Sequence, residues 1–117
     1  MAGISTHVLD ADRGRPAPGI RIDLSVKEEG RWRMVKSLIT NADGRTDGPV
    51  LPAAEAEVRE YQLEFHTDAY FRARSGRETD EAFVDNAVVR FSIFDVKQHY
   101  HVPLLCTPGS CTTYRGS

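Results

Sequence analysis

His99-Tyr100-His101 is the pattern with the sharpest chemical meaning in this chain. On a strand, residues i and i+2 point to the same face, so the two imidazoles stand side by side. Such a pair serves either of two chemistries. It can hold zinc if a third ligand joins it, and His7 and His66 are the candidates. It can equally act in general acid–base catalysis, where an imidazole titrating near neutral pH passes a proton to or from water. His7 itself lies between Thr6 and Val8 in an alternating segment, as an ordinary sheet-surface histidine or as a member of the site. Arg45 follows Asp43-Gly44 and precedes Thr46-Asp47-Gly48-Pro49, so a tight turn presents its guanidinium at a set place. That group suits planar carbonyl and imide edges and a developing oxyanion; the plainer reading is an exposed arginine in a surface turn. Tyr114-Arg115-Gly116-Ser117 gathers a phenol, a guanidinium and a hydroxyl. No base near Ser117 in sequence would activate it as a nucleophile, so a substrate-binding hydroxyl is its more economical role.

Strands must position these groups. Segments rich in β-branched and aromatic residues alternate over Ser5 to Leu9, Ile20 to Val26, Trp32 to Ile39, Tyr61 to Phe65, Val88 to Phe94 and His99 to Leu105. Turn chemistry bounds them at Asp12-Arg13-Gly14-Arg15-Pro16, Glu28-Glu29-Gly30, Asn41-Ala42-Asp43-Gly44 and Thr107-Pro108-Gly109-Ser110. This spacing points to a sandwich or barrel. In Ile20 to Val26 the four apolar side chains share one face, which leaves Arg21, Asp23 and Ser25 for water. One short helix is predicted over Thr67 to Gly76, with Thr67 or Asp68 as its cap and Gly76 as its stop. Pro49 to Glu60 reads as either a helix or a mobile connection, because Pro52 interrupts it.

A length of 117 residues fits one domain, 1–117. With 40% hydrophobic and 27% charged residues the chain can pack a core, and the composition suggests neither disorder nor a fibrous protein. A net charge of −2 removes the electrostatic case for nucleic acid or an anionic membrane as partner, and leaves small neutral or weakly anionic ligands. No apolar run approaches a membrane span. The opening Met1 to His7 lacks a secretory pattern and the closing residues are not a Ser-Lys-Leu address, so the expected compartment is the cytoplasm. There Cys106 and Cys111 are expected as free thiols, with a bridge across the local turn as the alternative.

The chain resembles the 5-hydroxyisourate hydrolases, the enzymatic branch of the transthyretin-like proteins. The resemblance runs through Ser5-Thr6-His7-Val8-Leu9-Asp10 with Gly14-Arg15-Pro16-Ala17, Asn41-Ala42-Asp43-Gly44-Arg45, His99-Tyr100-His101-Val102-Pro103-Leu104-Leu105 and Thr113-Tyr114-Arg115-Gly116-Ser117. The last motif looks like the signature that separates the hydrolases from hormone-carrying transthyretins. The resemblance implies an all-β, transthyretin-like two-sheet antiparallel β-sandwich with one short helix. It also implies a homotetramer, a dimer of dimers with active sites in the channel where dimers meet, and no metal or cofactor. By position, His7, Arg45 and His101 match the family's catalytic residues, while Tyr114, Arg115 and Ser117 match the motif that closes the pocket on substrate. His99 matches a residue that commonly precedes the catalytic one, and no catalytic role passes to it. A departure lies at Leu104-Leu105-Cys106-Thr107-Pro108, where relatives often carry Leu-Leu-Leu-Ser-Pro.

The implied reaction is hydrolysis of 5-hydroxyisourate to 2-oxo-4-hydroxy-4-carboxy-5-ureidoimidazoline in urate catabolism. Water adds to a ring carbonyl, which asks for a base, a cation or donor for the oxyanion and an acid for the departing nitrogen. The rivals are a carrier of an aromatic hormone, a zinc hydrolase built on His7, His99 and His101, and a structural domain without a site. A carrier pocket for an apolar ligand is better lined by apolar groups than by this polar set.

Overall fold

The computed structural model describes residues 3–75 and 85–117. The alternating segments form strands: β1 (Gly3–Asp10), β3 (Arg21–Glu28), β4 (Arg31–Ile39), β5 (Glu60–Phe65), β6 (Ala87–Ser92) and β7 (His99–Thr107). Two further strands, β2 (Arg15–Pro16) and β8 (Ser110–Thr113), are too short for alternation to reveal. They assemble into two four-stranded sheets, β2-β1-β7-β8 and β4-β3-β5-β6. Neighbours are antiparallel except β1 and β7, which run parallel with Ser5 opposite His101 and His7 opposite Pro103. Register matters here because a slip of one residue would turn every side chain to the other face.

The sheets pack through their inward faces. Ile4 and Val8 of β1 and Val102 and Leu104 of β7 are buried with Ile22 and Leu24 of β3 and Leu63 and Phe65 of β5. Each such side chain contributes roughly 1.5–3 kcal/mol by leaving water. Thr6 also points inward, and its hydroxyl donates to the Val102 carbonyl at 2.6 Å, so its burial leaves no polar atom unpaired.

Asp10 ends β1 inside the protein. Its carboxylate accepts from the backbone N–H groups of Asp12 and Arg13, from the Tyr70 hydroxyl at 2.8 Å and from Arg74 at 2.7 Å. Burial alone would raise the Asp10 pKa, but the donors from Tyr70, Arg74 and Arg13 outweigh it and hold the carboxyl below its usual range. Burial and the bond to Asp10 push the Tyr70 phenol up to about 12. This clamp ties the β1–β2 turn to the helix α1 (Thr67–Ser75).

Some sequence expectations need amendment. Asp23 and Ser25 do not face open water: both are buried, and Arg21, Ser37 and His66 close over Asp23 and bond to it. Residues 49–60 are held to β1 by a bridge between Leu51 and Ile4, followed by a short 3-10 turn at Ala53–Glu55. The helix matches its predicted start, while its predicted stop, Gly76, lies outside the described residues. The Thr67 hydroxyl donates to the Asp85 carbonyl, and the Asp68 carboxylate accepts from Arg72. The largest correction concerns the thiols. Cys106 and Cys111 are a disulfide, because the β7–β8 hairpin sets them opposite one another with Cα atoms 4.3 Å apart. That separation is close to the roughly 4.5 Å of a non-hydrogen-bonded antiparallel pair, where facing side chains come nearest.

Candidate active site

Alternation along β1 and β7 leaves one polar face on the outside of the β2-β1-β7-β8 sheet. With Thr6, Val8, Val102 and Leu104 buried, their alternates Ser5, His7, His99 and His101 turn outward. The parallel register sets Gly3 opposite His99 and Ser5 opposite His101, with His7 one step further along the same face. Strand spacing and rise put the His7 and His101 Cα atoms about 8 Å apart, a span that a small heterocycle can bridge. The Ser5 hydroxyl lies 2.6 Å from His99 Nε2 and 2.8 Å from His101 Nδ1. Sequence reasoning did not single out Ser5. Its two-residue offset from His7 was a usable signal, but the meeting with His99 and His101 depends on a strand pairing that is not local.

Arg45 reaches this face through its turn. The Gly44 carbonyl accepts from the Val8 N–H at 2.8 Å, which fixes the turn against the edge of β1. Asn41 closes the turn from its other side, its carboxamide oxygen accepting from the N–H groups of Asp43 and Arg45. Gly44 has φ +74°, and a Cβ there would strike the Val8 carbonyl oxygen, so only glycine fits this approach. The Arg45 side chain is exposed, with no ion-pair or hydrogen-bond partner among the described residues, so its donors are open to a ligand.

The tail crosses beside His101. The Gly116 N–H donates to the His101 carbonyl at 2.8 Å. A Cβ at Gly116 would lie 2.6 Å from His101 Cδ2 and 3.2 Å from Pro103 Cγ, so the absence of a side chain lets the chain pass against the ring. Ser117 follows, exposed. Arg115 turns the other way: its guanidinium stacks 4.3 Å from the Tyr100 ring centre and donates to Gln98 Oε1 and the His99 carbonyl. Tyr114 and Arg115 border a separate hollow of about 220 Å³ with Phe91, Phe94, Tyr100 and Val102. The structure therefore gathers His7, Arg45, His101 and the backbone before Ser117, while the Tyr114 and Arg115 side chains flank a neighbouring surface.

Burial lowers the His101 pKa, and the positive fields of Arg45, His99 and His7 lower it further. A neutral imidazole at pH 7 with a free nitrogen can take a proton from water. The zinc alternative fares less well geometrically. Among the described residues, Asp23, Glu64 and His66 are the group whose ligand atoms converge within 4.8 Å, and they lie on the other sheet. Neither a set of His7, His99 and His101 nor one completed by His66 reaches that convergence among the described residues.

A two-sheet sandwich with imidazoles and a guanidinium on one outer sheet face defines the class of protein. The HIUase/Transthyretin family model matches residues 4–116, and the chain belongs to that family. It is 44% identical over 114 residues to "5-hydroxyisourate hydrolase 2" of Rhizobium meliloti (strain 1021), covering 97% of this chain and 95% of that one. Among solved structures it is similar to the 5-hydroxyisourate hydrolase of Klebsiella pneumoniae, with TM-score 0.81, 38% identity and full coverage of both chains. Sea bream transthyretin in complex with thyroxine superposes with TM-score 0.87 at 27% identity, covering 98% of this chain and 95% of that one.

Proposed function

We propose that this protein hydrolyses 5-hydroxyisourate to 2-oxo-4-hydroxy-4-carboxy-5-ureidoimidazoline in purine catabolism. The observation that carries the reading is the parallel β1–β7 pairing that gathers His7 and His101 on one face beside Arg45, in a chain whose full-length relatives carry the hydrolase name. In this reading His101 is the base: its neutral nitrogen takes a proton from water as the oxygen adds to the ring carbonyl. Arg45 binds the carbonyl and the oxyanion that develops, where a planar fork of donors outperforms a point charge. His7, across the face, donates a proton to the departing ring nitrogen. Ser117 orients the ring, and Tyr114 and Arg115 complete the substrate-binding motif, Arg115 by anchoring the tail through Gln98 and Tyr100.

In one chain this site is an open sheet face. A homotetramer, built as a dimer of dimers, encloses it, which supplies the exclusion of water that an oxyanion contact needs. No helix among the described residues is long and apolar enough to cross a membrane. The reading also takes the enzyme as cytoplasmic, which cell fractionation tests.

The direct test generates 5-hydroxyisourate freshly from urate and follows its ultraviolet decay with and without protein, spontaneous decay being the control. Acceleration is the expected result; decay at the spontaneous rate would remove the activity. His101→Asn should lower kcat by about 10²- to 10⁴-fold, the usual worth of a general base, while the protein stays folded. Turnover near wild type would remove His101 from the mechanism.

A further inference from the structure

The Ser5 hydroxyl bridges two imidazoles. A serine oxygen carries one proton and two lone pairs, so it donates to one ring and accepts from the other. At 2.6 Å and 2.8 Å both contacts are full hydrogen bonds, and they link half-buried His101 to exposed His99. Gly116 lies against the His101 ring at Cδ2, the carbon next to Nε2, so the tail is on the side of the ring away from Ser5, and with Nδ1 taken up by Ser5 the nitrogen left for water is Nε2. The proton that His101 gains therefore needs a route out through Nδ1.

We propose that Ser5 and His99 form a proton relay behind His101, with Ser5 as a positioning residue that selects the His101 tautomer and His99 as the exit to solvent. This rests on the reading of His101 as the base. In the resting state His101 carries its proton on Nδ1 and donates to Ser5 Oγ, and Ser5 donates to the unprotonated Nε2 of neutral His99. His101 Nε2 is thereby left free. When water gives its proton to Nε2, the Nδ1 proton passes to Ser5 Oγ as the Ser5 proton passes to His99 Nε2. Atoms and charge balance: His101 is again neutral, now with its proton on Nε2, Ser5 is again a hydroxyl, and His99 holds the charge where bulk water takes up its proton. When Nε2 then releases its proton to product or solvent, the relay runs in reverse from His99 through Ser5 to Nδ1 and restores the resting tautomer. The exposed His99, rather than the half-buried His101, ends with the positive charge. Arg45 and His7 face the same ring with positive fields, which oppose charge remaining on His101.

The test compares Ser5→Ala, Ser5→Thr, His99→Asn and His101→Asn for kcat, KM, pH profile and rate across mixtures of light and heavy water, with thermal unfolding alongside. Ser5→Ala is expected to lower kcat about 10- to 100-fold with KM nearly unchanged, in line with losses from other outer-shell partners. Its heavy-water dependence is expected to change from curved to linear as the second moving proton is lost. Ser5→Thr should restore most of the rate and the curvature. His99→Asn should lower kcat and respond to added imidazole buffer, which replaces the exit. Wild-type kcat and curvature in Ser5→Ala, with His101→Asn inactive, would overturn the relay and leave the base reading standing. Full turnover in His101→Asn would overturn both.

Discussion

A histidine serves as a base at neutral pH when its neutral form dominates there, and His101 meets that condition through burial first and neighbouring positive charge second. Its neutral fraction rises with pH through a pKa below the ordinary 6.5, so kcat/KM should rise along an acid limb centred below 6.5. Arg45→Met removes one of the two leading causes and should move that limb upward part of the way, since burial remains. An unmoved limb would mean that Arg45 does not act on His101. At this scale His99-Tyr100-His101 was legible as a paired-imidazole pattern, whereas His7 and Arg45 read as ordinary surface residues by type and spacing and stood out only through the family resemblance. Ser5 was not legible, because a strand serine is ordinary until the structure shows what it touches.

Among the elements, the two edges that meet at His101 matter most. β1 and β7 were readable from alternation, and their outward faces followed directly. The tail from Tyr114 to Ser117 was readable as a motif, but its path was not, since that path follows from the pairing of Gly116 with His101. Gly116→Ala places a methyl group against the ring and should displace either the ring or the tail. Misplacement of about 1 Å can lower turnover up to about 10²-fold, so kcat should fall steeply. The melting temperature should hardly move, because the exposed tail buries little apolar surface. Wild-type kcat in this variant would show that the ring has room. The disulfide belongs to this scale too: thiol character was read from compartment, whereas the hairpin's pairing brings the two sulfur atoms together. The loop it closes is short, so its loss should cost only about 2 kcal/mol by chain entropy.

Across the whole molecule, the Asp10 clamp joins the sandwich to its helix. The Asp10 side chain is fully buried and Arg74 is 16% exposed, hence Asp10→Ala should cost about 1–3 kcal/mol, measured by denaturant unfolding, because it leaves the Tyr70 hydroxyl without its acceptor and removes one of the two carboxylates on Arg74, Asp12 keeping the other. A loss below 1 kcal/mol would show that the clamp is incidental. The sign of its pH dependence follows from the lowered pKa. Stability from Asp10 is complete above the ordinary value of 3.8 and is lost as pH falls through the lower folded value. Asp23 behaves likewise: burial works against its charge, but bonds from Ser37, His66 and Arg21 bring it down to about 2. Acid unfolding should therefore set in below about pH 4, less steeply in the Asp10 variant. The amino-acid sequence by itself determined the strand-rich architecture and the apolar face of Ile20 to Val26, because alternation and turn chemistry are local. The tertiary structure alone decided that β1 lies parallel to β7, that Ser5 stands between histidines 94 and 96 residues away, that Asp23 is enclosed and that the two cysteines are joined. A strand's own pattern says which way its side chains face, whereas its neighbour is chosen by how the whole core closes.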